Sequence, residues 1–295
     1  MLVFDHACRA TQGARNYQED TAAILKESHA PGSDLPSPPA EPDGFVAVLA
    51  DGMGGHAGGA LASRMACDTF LEAYADATGE PRERLLRALA RANLAIGEKV
   101  SQNPILSGMG STLVGVAFGQ DGVQWVSVGD SPLLLYRRGQ IAPLNDDHSL
   151  APELDRMAAA GLISPERARN DPRRHMLRSA VTGDELELVD ISPRPLMVEG
   201  GDYIILASDG LQTLDSGEIE RIVSAYAEDG ADAVARALIR AVENIRDPHQ
   251  DNTTVVAVRV IDPAPEDALA EEGEAEEGEA APAAVHTKQD EVPGN

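Results

Sequence analysis

Five aspartates stand where apolar runs begin or end. FVAVLA runs into Asp51-Gly52, YIILAS into Asp209-Gly210, and WVSVG into Asp130. Asp251 stands just before TTVVAVRV, and Glu19-Asp20 just before TAAIL. Short apolar runs bounded by turn residues read as buried strands, so these carboxylates mark strand ends. Strands of one sheet bring such ends together. Carboxylates crowded into a partly dry site repel one another, and a divalent cation removes that conflict. An all-oxygen donor set without clustered His or Cys suits hard Mg²⁺ or Mn²⁺ rather than Zn²⁺. A single Asp-Gly is ordinarily a turn that ends a strand. The recurrence at five places is what points to a site.

Two further segments carry chemistry. Gly13–Asp20, GARNYQED, offers Arg15, whose guanidinium can grip a phosphate through two parallel hydrogen bonds. Asp51–Ser63, DGMGGHAGGALAS, is a glycine-rich turn between a strand and a helix, where backbone can approach a ligand closely. Gly52-x-Gly54-x-x-Ala57, with Asp68 and Glu72 downstream, also matches a loose dinucleotide fingerprint. A nucleotide-binding oxidoreductase is therefore a rival reading, but it leaves Asp51, Asp209 and Asp251 without a role. Cys8 and Cys67 are followed six positions on by Ala14 and Ala73, where a cysteine phosphatase loop needs arginine. No P-loop, G-x-S-x-G elbow or H-E-x-x-H motif occurs.

The elements that must position these groups follow from the rest of the chain. Its 295 residues are 43% hydrophobic, enough for one sizeable core. No apolar run approaches the roughly 18–20 residues of a membrane span, and MLVFDHACRA lacks the pattern of a secretory leader. Two cysteines exclude a disulfide framework and, with the acidic composition, fit a cytoplasmic protein. A net charge of -25 argues against nucleic acid and anionic membrane surfaces as partners. Pro263–Asn295 holds ten acidic residues against one lysine and reads as a disordered acidic tail, leaving 1–262 as the folded body. Ser28–Asp43 reads as a proline-rich surface loop.

Within the body, strand patterns fall at Leu2–Ala7, Thr21–Leu25, Phe45–Ala50, Thr112–Phe118, Gln124–Val128, Leu133–Tyr136, Leu186–Ile191, Tyr203–Ala207 and Thr254–Val260. Helical patterns fall at Gly59–Asp76, Pro81–Gln102, Leu150–Ala160, Ser216–Ala227 and Asp232–Asn244. The connections GQDG and GDSP are too short for crossovers, so the three strands between 112 and 136 are expected to pair antiparallel. Helix pairs covering antiparallel sheets make an α+β body. No heptad run calls for a dimer, and a monomer is expected.

Arg15-xxx-Glu19-Asp20, Asp51-Gly52-Met53-Gly54-Gly55-His56, Gly110-Ser111-Thr112, Gly129-Asp130-Ser131, Asp147-His148-Ser149, Ser208-Asp209-Gly210 and Asp251-Asn252-Thr253 occur in one order. That order and spacing resembles the bacterial form of the metal-dependent protein serine/threonine phosphatases, the PP2C (PPM) family, over about residues 2–260. The resemblance implies a four-layer αββα fold, an antiparallel β-sandwich flanked by helix pairs, with a binuclear Mn²⁺ or Mg²⁺ centre at one end. It implies that Asp51 bridges both metals, that the Gly52 carbonyl holds one, and that Asp209 and Asp251 hold the other. Asp20 and Glu19 would act mainly through water, and Asp130 with Asp209 matches a third, weaker metal site. Arg15 would bind the substrate phosphate. His56 is either the general acid or a residue that orders its loop, and His148 is a hydrogen-bonding partner at a helix start. The basic segment from about 147 to 184 would be a mobile flap that suits phosphopeptide approach. The implied reaction is hydrolysis of phosphoserine and phosphothreonine in proteins by metal-activated water. The implied partners are phosphorylated proteins, substrates of a Ser/Thr kinase. A catalytically silent module that keeps the fold and binds phosphoproteins is the alternative.

Overall fold

The apolar runs become strands in a computed structural model of the chain, which describes residues 1–26, 44–55 and 57–262. The expected acidic tail, the proline-rich loop and His56 lie outside the described residues. The chain begins with β1 (Val3–Thr11), β2 (Asp20–Lys26) and β3 (Phe45–Met53), then the long helices α1 (Ala57–Asp76) and α2 (Pro81–Gln102). Next come β4 (Gly110–Ser111), β5 (Leu113–Gly119), β6 (Gly122–Val128), β7 (Leu133–Arg137) and β8 (Gln140–Pro143). Two short helices, α3 (Ala151–Ala159) and α4 (Pro165–Arg169), precede β9 (Asp190–Ile191) and β10 (Tyr203–Ala207). The helices α5 (Ser216–Tyr226) and α6 (Ala231–Ile245) lead into β11 (Thr253–Ile261).

The strands form two antiparallel sheets. One has the order β1-β11-β10-β7-β8, and the other β2-β3-β5-β6-β9 with β4 paired to β3. Alternation along each strand explains why the runs look uniformly apolar. Phe45, Ala47 and Leu49 of β3 pack with Val114 and Val116 against Ile204, Leu206, Val256 and Val258 of the facing sheet. The intervening Val46, Val48 and Ala50 turn the other way, onto Phe70 of α1 and Leu85, Leu89 and Ile96 of α2. On the opposite side, Tyr203, Ile205 and Ala207 of β10 meet Val234, Leu238 and Val242 of α6. A strand covered on both faces has no polar side, so its sequence loses the period of two. The helices keep theirs: Leu85, Leu89, Ala92 and Ile96 make one stripe along α2, which starts with proline in its first turn. Asp215 and Glu218 close a reciprocal capping box at the start of α5.

The four-layer α+β architecture is therefore as expected, but the path through it differs at one corner. β5 and β6 pair antiparallel, whereas β7 pairs with β10 and β8 in the other sheet. The GDSP segment is a crossing between sheets rather than a hairpin turn. Gly129 makes it at φ +106°, where a Cβ would lie 2.6 Å from Thr112 Cγ2. Leu186–Ile191 contributes only the two paired residues of β9, opposite Val126 and Ser127. β8 and α4 have no counterpart among the sequence patterns, being four and five residues long, too short to show a period. Among the described residues, no helix is long and apolar enough to cross a membrane.

The helical layer is keyed to the sheet through Phe70. Its ring fills the space over Gly115, where a Cβ would come within 2.3 Å of it. We expect Phe70→Ala to cost about 3–5 kcal/mol. The check is a lowered urea midpoint with an unchanged m-value.

Candidate metal centre

Antiparallel pairing sets the start of one strand beside the end of the next, and this gathers the aspartates. Asp20 opens β2 directly opposite Asp51 near the end of β3. Asp130 stands in the crossing after β6, Asp209 in a 3₁₀ turn after β10, and Asp251 just before β11. Arg15, Glu19, Asp51, Gly52, Asp130, Asp209 and Asp251 line one cleft of about 700 Å³. Asp20 is buried beside them, close enough to Asp209 and Asp251 for their charges to act on it. The expected site residues that are described thus share one end of the sandwich.

Burial and mutual repulsion shape their protonation. Burial, then Asp20, Asp209, Asp130 and Asp251 in turn, push the Asp51 carboxyl well above the ordinary range. Burial raises Asp20 to about 6, against hydrogen bonds from the Ser208 and Thr254 hydroxyls to its Oδ2 at 2.7 and 2.8 Å. Asp130 is pushed up to about 7 by burial and then by Asp209 and Asp147. Asp209 is raised by burial and Asp251, and is held back by His175, by a hydrogen bond with the Asp51 carboxyl and by Arg15. Oδ1 of Asp20 and Oδ1 of Asp209 are buried with no hydrogen-bond partner among the described residues. Such oxygens are costly unless something electropositive meets them, and an all-oxygen set suits a hard divalent cation. Among the described residues, no three His, Cys, Asp or Glu side chains close around a single point. Arg15 draws Asp251 aside into an ion pair.

Polar clamps that sequence reasoning overlooked position them. The Asp51 N–H donates to Thr112 Oγ1 at 2.9 Å, and its carbonyl accepts from the Thr112 N–H and the Ser111 hydroxyl. Thr112 Oγ1 in turn lies 2.7 Å from Ser131 Oγ, tying the end of β3 to the turn that carries Asp130. Asn252 accepts from the Glu19 N–H at 2.8 Å and donates to the carbonyls of Gln12 and Tyr17. It thereby staples the Arg15 loop to the Asp251 strand. Gly52 has no room for a side chain, since a Cβ would lie 2.1 Å from the Gly59 carbonyl oxygen. His148 accepts the Gly129 N–H on Nδ1 at 3.2 Å, and burial lowers its pKa, which suits a neutral structural acceptor. Ser208 and Asn252 stood beside aspartates in the short motifs and Ser111 and Thr112 in Gly110-Ser111-Thr112, but the motifs gave none of them a role.

Residues of the expected flap reach the cleft as well. His175, Met176, Leu177, Arg178, Ser179 and Ala180 line it. Isolated bridges Ser149↔Leu177 and Ser111↔Val181 hold this stretch, and Arg174 forks onto Asp155 with two contacts of 2.8 Å. Nothing in the sequence pattern singles out His175 or Arg178, because no regular element carries them to the site. The dinucleotide reading fails on topology. All three strands paired with β3, namely β2, β4 and β5, run antiparallel to it, and the fingerprint needs a parallel βαβ crossover.

The raised carboxyls bind their protons more tightly in the folded chain than in the unfolded one. Their contribution to stability is complete below the ordinary value of about 4 and is lost as pH rises toward about 7. With a chelator present, we expect a higher denaturant midpoint at about pH 5 than at about pH 7.5. Asp20→Asn should flatten that slope.

Comparison with known proteins identifies the family and the fold. The Protein phosphatase 2C family matches residues 40–236. The serine/threonine protein phosphatase PstP of Mycobacterium tuberculosis (strain ATCC 25618 / H37Rv) is 35% identical over 219 residues, 73% of this chain and 40% of that protein. The match therefore spans less than half of that relative's length. The protein phosphatase PhpP of Streptococcus pneumoniae (strain D39 / NCTC 7466, serotype 2) is 34% identical over 182 residues, 60% of this chain and 72% of that protein. Among solved structures, the catalytic domain of a serine/threonine protein phosphatase PstP, in complex with two manganese ions, superposes with a TM-score of 0.65. It is 28% identical, over 89% of this chain and 100% of that one. With more than half of its length matched, the chain belongs to the protein phosphatase 2C family.

Proposed function

We propose that the chain hydrolyses phosphoserine and phosphothreonine monoesters in proteins, with 1–262 as the phosphatase domain. The observation that carries this reading is the gathering of five aspartates from separate strands at one end of the sandwich, with Arg15 beside them. Asp51, the Gly52 carbonyl, Asp209 and Asp251 would hold two cations, Mn²⁺ or Mg²⁺. Asp130 with Asp209 would hold a third more weakly, and Asp20 and Glu19 would act mainly through water. The manganese-bound relative supports that choice of ion. When bound, such cations neutralise phosphoryl oxygens and lower the pKa of water.

The protein's own groups supply the rest. The Ser208 and Thr254 hydroxyls fix the orientation of Asp20, and the Thr112–Ser131 clamp fixes Asp51 relative to Asp130. Arg15 is half exposed, and its partner in the structure is the Asp251 carboxylate. An incoming phosphate offers the same guanidinium a paired set of oxygens, so Arg15 can orient the substrate at the mouth of the cleft. No serine or cysteine nucleophile is required. The same reading has a monomer working in the cytoplasm on proteins phosphorylated by a Ser/Thr kinase. The low cysteine count and the acidic composition support the cytoplasmic part of that reading.

Release of phosphate from an aryl phosphate and a phosphothreonine peptide, followed with Mn²⁺, Mg²⁺, Ca²⁺ or EDTA, tests the proposal. We expect activity with Mn²⁺ and none with EDTA. Asp209→Asn should lower kcat by roughly 10²–10³-fold while leaving the circular dichroism spectrum unchanged. Full turnover in that variant would remove Asp209 from the site. Arg15→Ala should raise KM for the peptide about tenfold. A silent phosphoprotein-binding module would instead bind the peptide and release nothing under any cation.

A further inference from the structure

The cleft has a neighbour. Thr182 and Asp184 line it on one side, and the same two residues line a separate groove of about 720 Å³. Leu94, Glu98 and Ser101 of α2 form one wall of the groove, and Gly108 forms part of another. A latch sets its shape. The Asn93 side chain accepts the N–H groups of Thr182 and Gly183 at 3.1 and 2.9 Å and donates to the Asp184 carbonyl at 2.8 Å. Gly183, at φ +95°, lies so close to α2 that a Cβ would stand 2.2 Å from Gly97 Cα. Two bare backbones thus meet at the rim, where Thr182 and Asp184 line both cleft and groove. The groove also abuts the glycine-rich turn after Asp51, because Gly54 packs on Met109, with a Cβ placed 2.7 Å from its Cα.

A polypeptide with its phosphate in the cleft can therefore continue across Thr182 and Asp184 into the groove. Among the described residues lining the groove, the ionisable side chains are Glu98 and Asp184, both acidic. Glu185 and Glu187 extend the negative charge along the adjoining part of the cleft. Leu94, 47% exposed, adds an apolar surface on which the stem of a long basic side chain can lie. We propose that this groove receives the stretch of a phosphoprotein next to the phosphorylated residue, and that it favours stretches carrying arginine or lysine there. The inference rests on the phosphatase reading and adds a specificity to it. Charge complementarity of this kind selects among partners more than it adds affinity.

The test uses the full chain with Mn²⁺ and three phosphothreonine peptides of equal length, with arginine, alanine or glutamate at the two positions on either side. The unaltered chain should show a higher kcat/KM for the arginine peptide than for the glutamate peptide. Glu98→Arg should reduce that ratio roughly fivefold and leave hydrolysis of p-nitrophenyl phosphate unchanged. Asp121→Arg makes the same change in net charge at the turn between β5 and β6, at the other end of β6 from Asp130. It should leave the ratio as it is. An unchanged ratio in Glu98→Arg, or an equal drop in both variants, overturns the groove as the selecting site. If neither the aryl phosphate nor any peptide is hydrolysed, the phosphatase reading itself falls, and this inference falls with it.

Discussion

Like charges resist being brought together in a dry place, and the end of this sandwich is built against that resistance. Asp20 and Asp51 face each other across two paired strands, an arrangement that is unfavourable in an ordinary sheet. Asp130, Asp209 and Asp251 add to the same field. The fold tolerates this because the surrounding backbone is pinned by polar clamps and the strands behind it are buried on both faces. Stability lost at the site is carried by the layers. This is the pattern expected where a protein prepares a position for a strongly positive ligand.

Most of the fold was legible because the runs were long. β3, β10 and β11, together with α2, lie close to their expected bounds, since a strand buried on both faces or a helix with one apolar stripe leaves an unmistakable pattern. The crossing at Gly129-Asp130-Ser131-Pro132 was not legible. A four-residue link reads as a hairpin whether it joins neighbours in one sheet or steps to another, and only packing across the sandwich decides. β8, too short to show a period, also follows a turn with positive φ at both Arg138 and Gly139, and arginine gives no warning of that.

The site divides in the same way. The aspartates were legible because each interrupts an apolar run, and a charge in that position asks for an explanation. The hydroxyls of Thr112, Ser131, Ser208 and Thr254 look like ordinary strand and turn residues until their partners are seen. The same holds for Asn93, which sits in the middle of α2 and reaches three backbone groups some ninety residues away in sequence. Residues that place other residues leave little trace in one sequence, because their partners are set by the fold.

The two sheets do not contribute equally to each part of the cleft. Asp20 and Asp51 belong to strands of one layer, whereas Asp209 and Asp251 flank strands of the other. Any sideways creep of one layer over the other changes the gap between these two pairs. The spacing of the carboxylates is thus a gauge of how the aliphatic interior meshes. Residues such as Leu49 and Val256, buried in the interior between the layers, therefore set how far apart the two pairs of carboxylates stand.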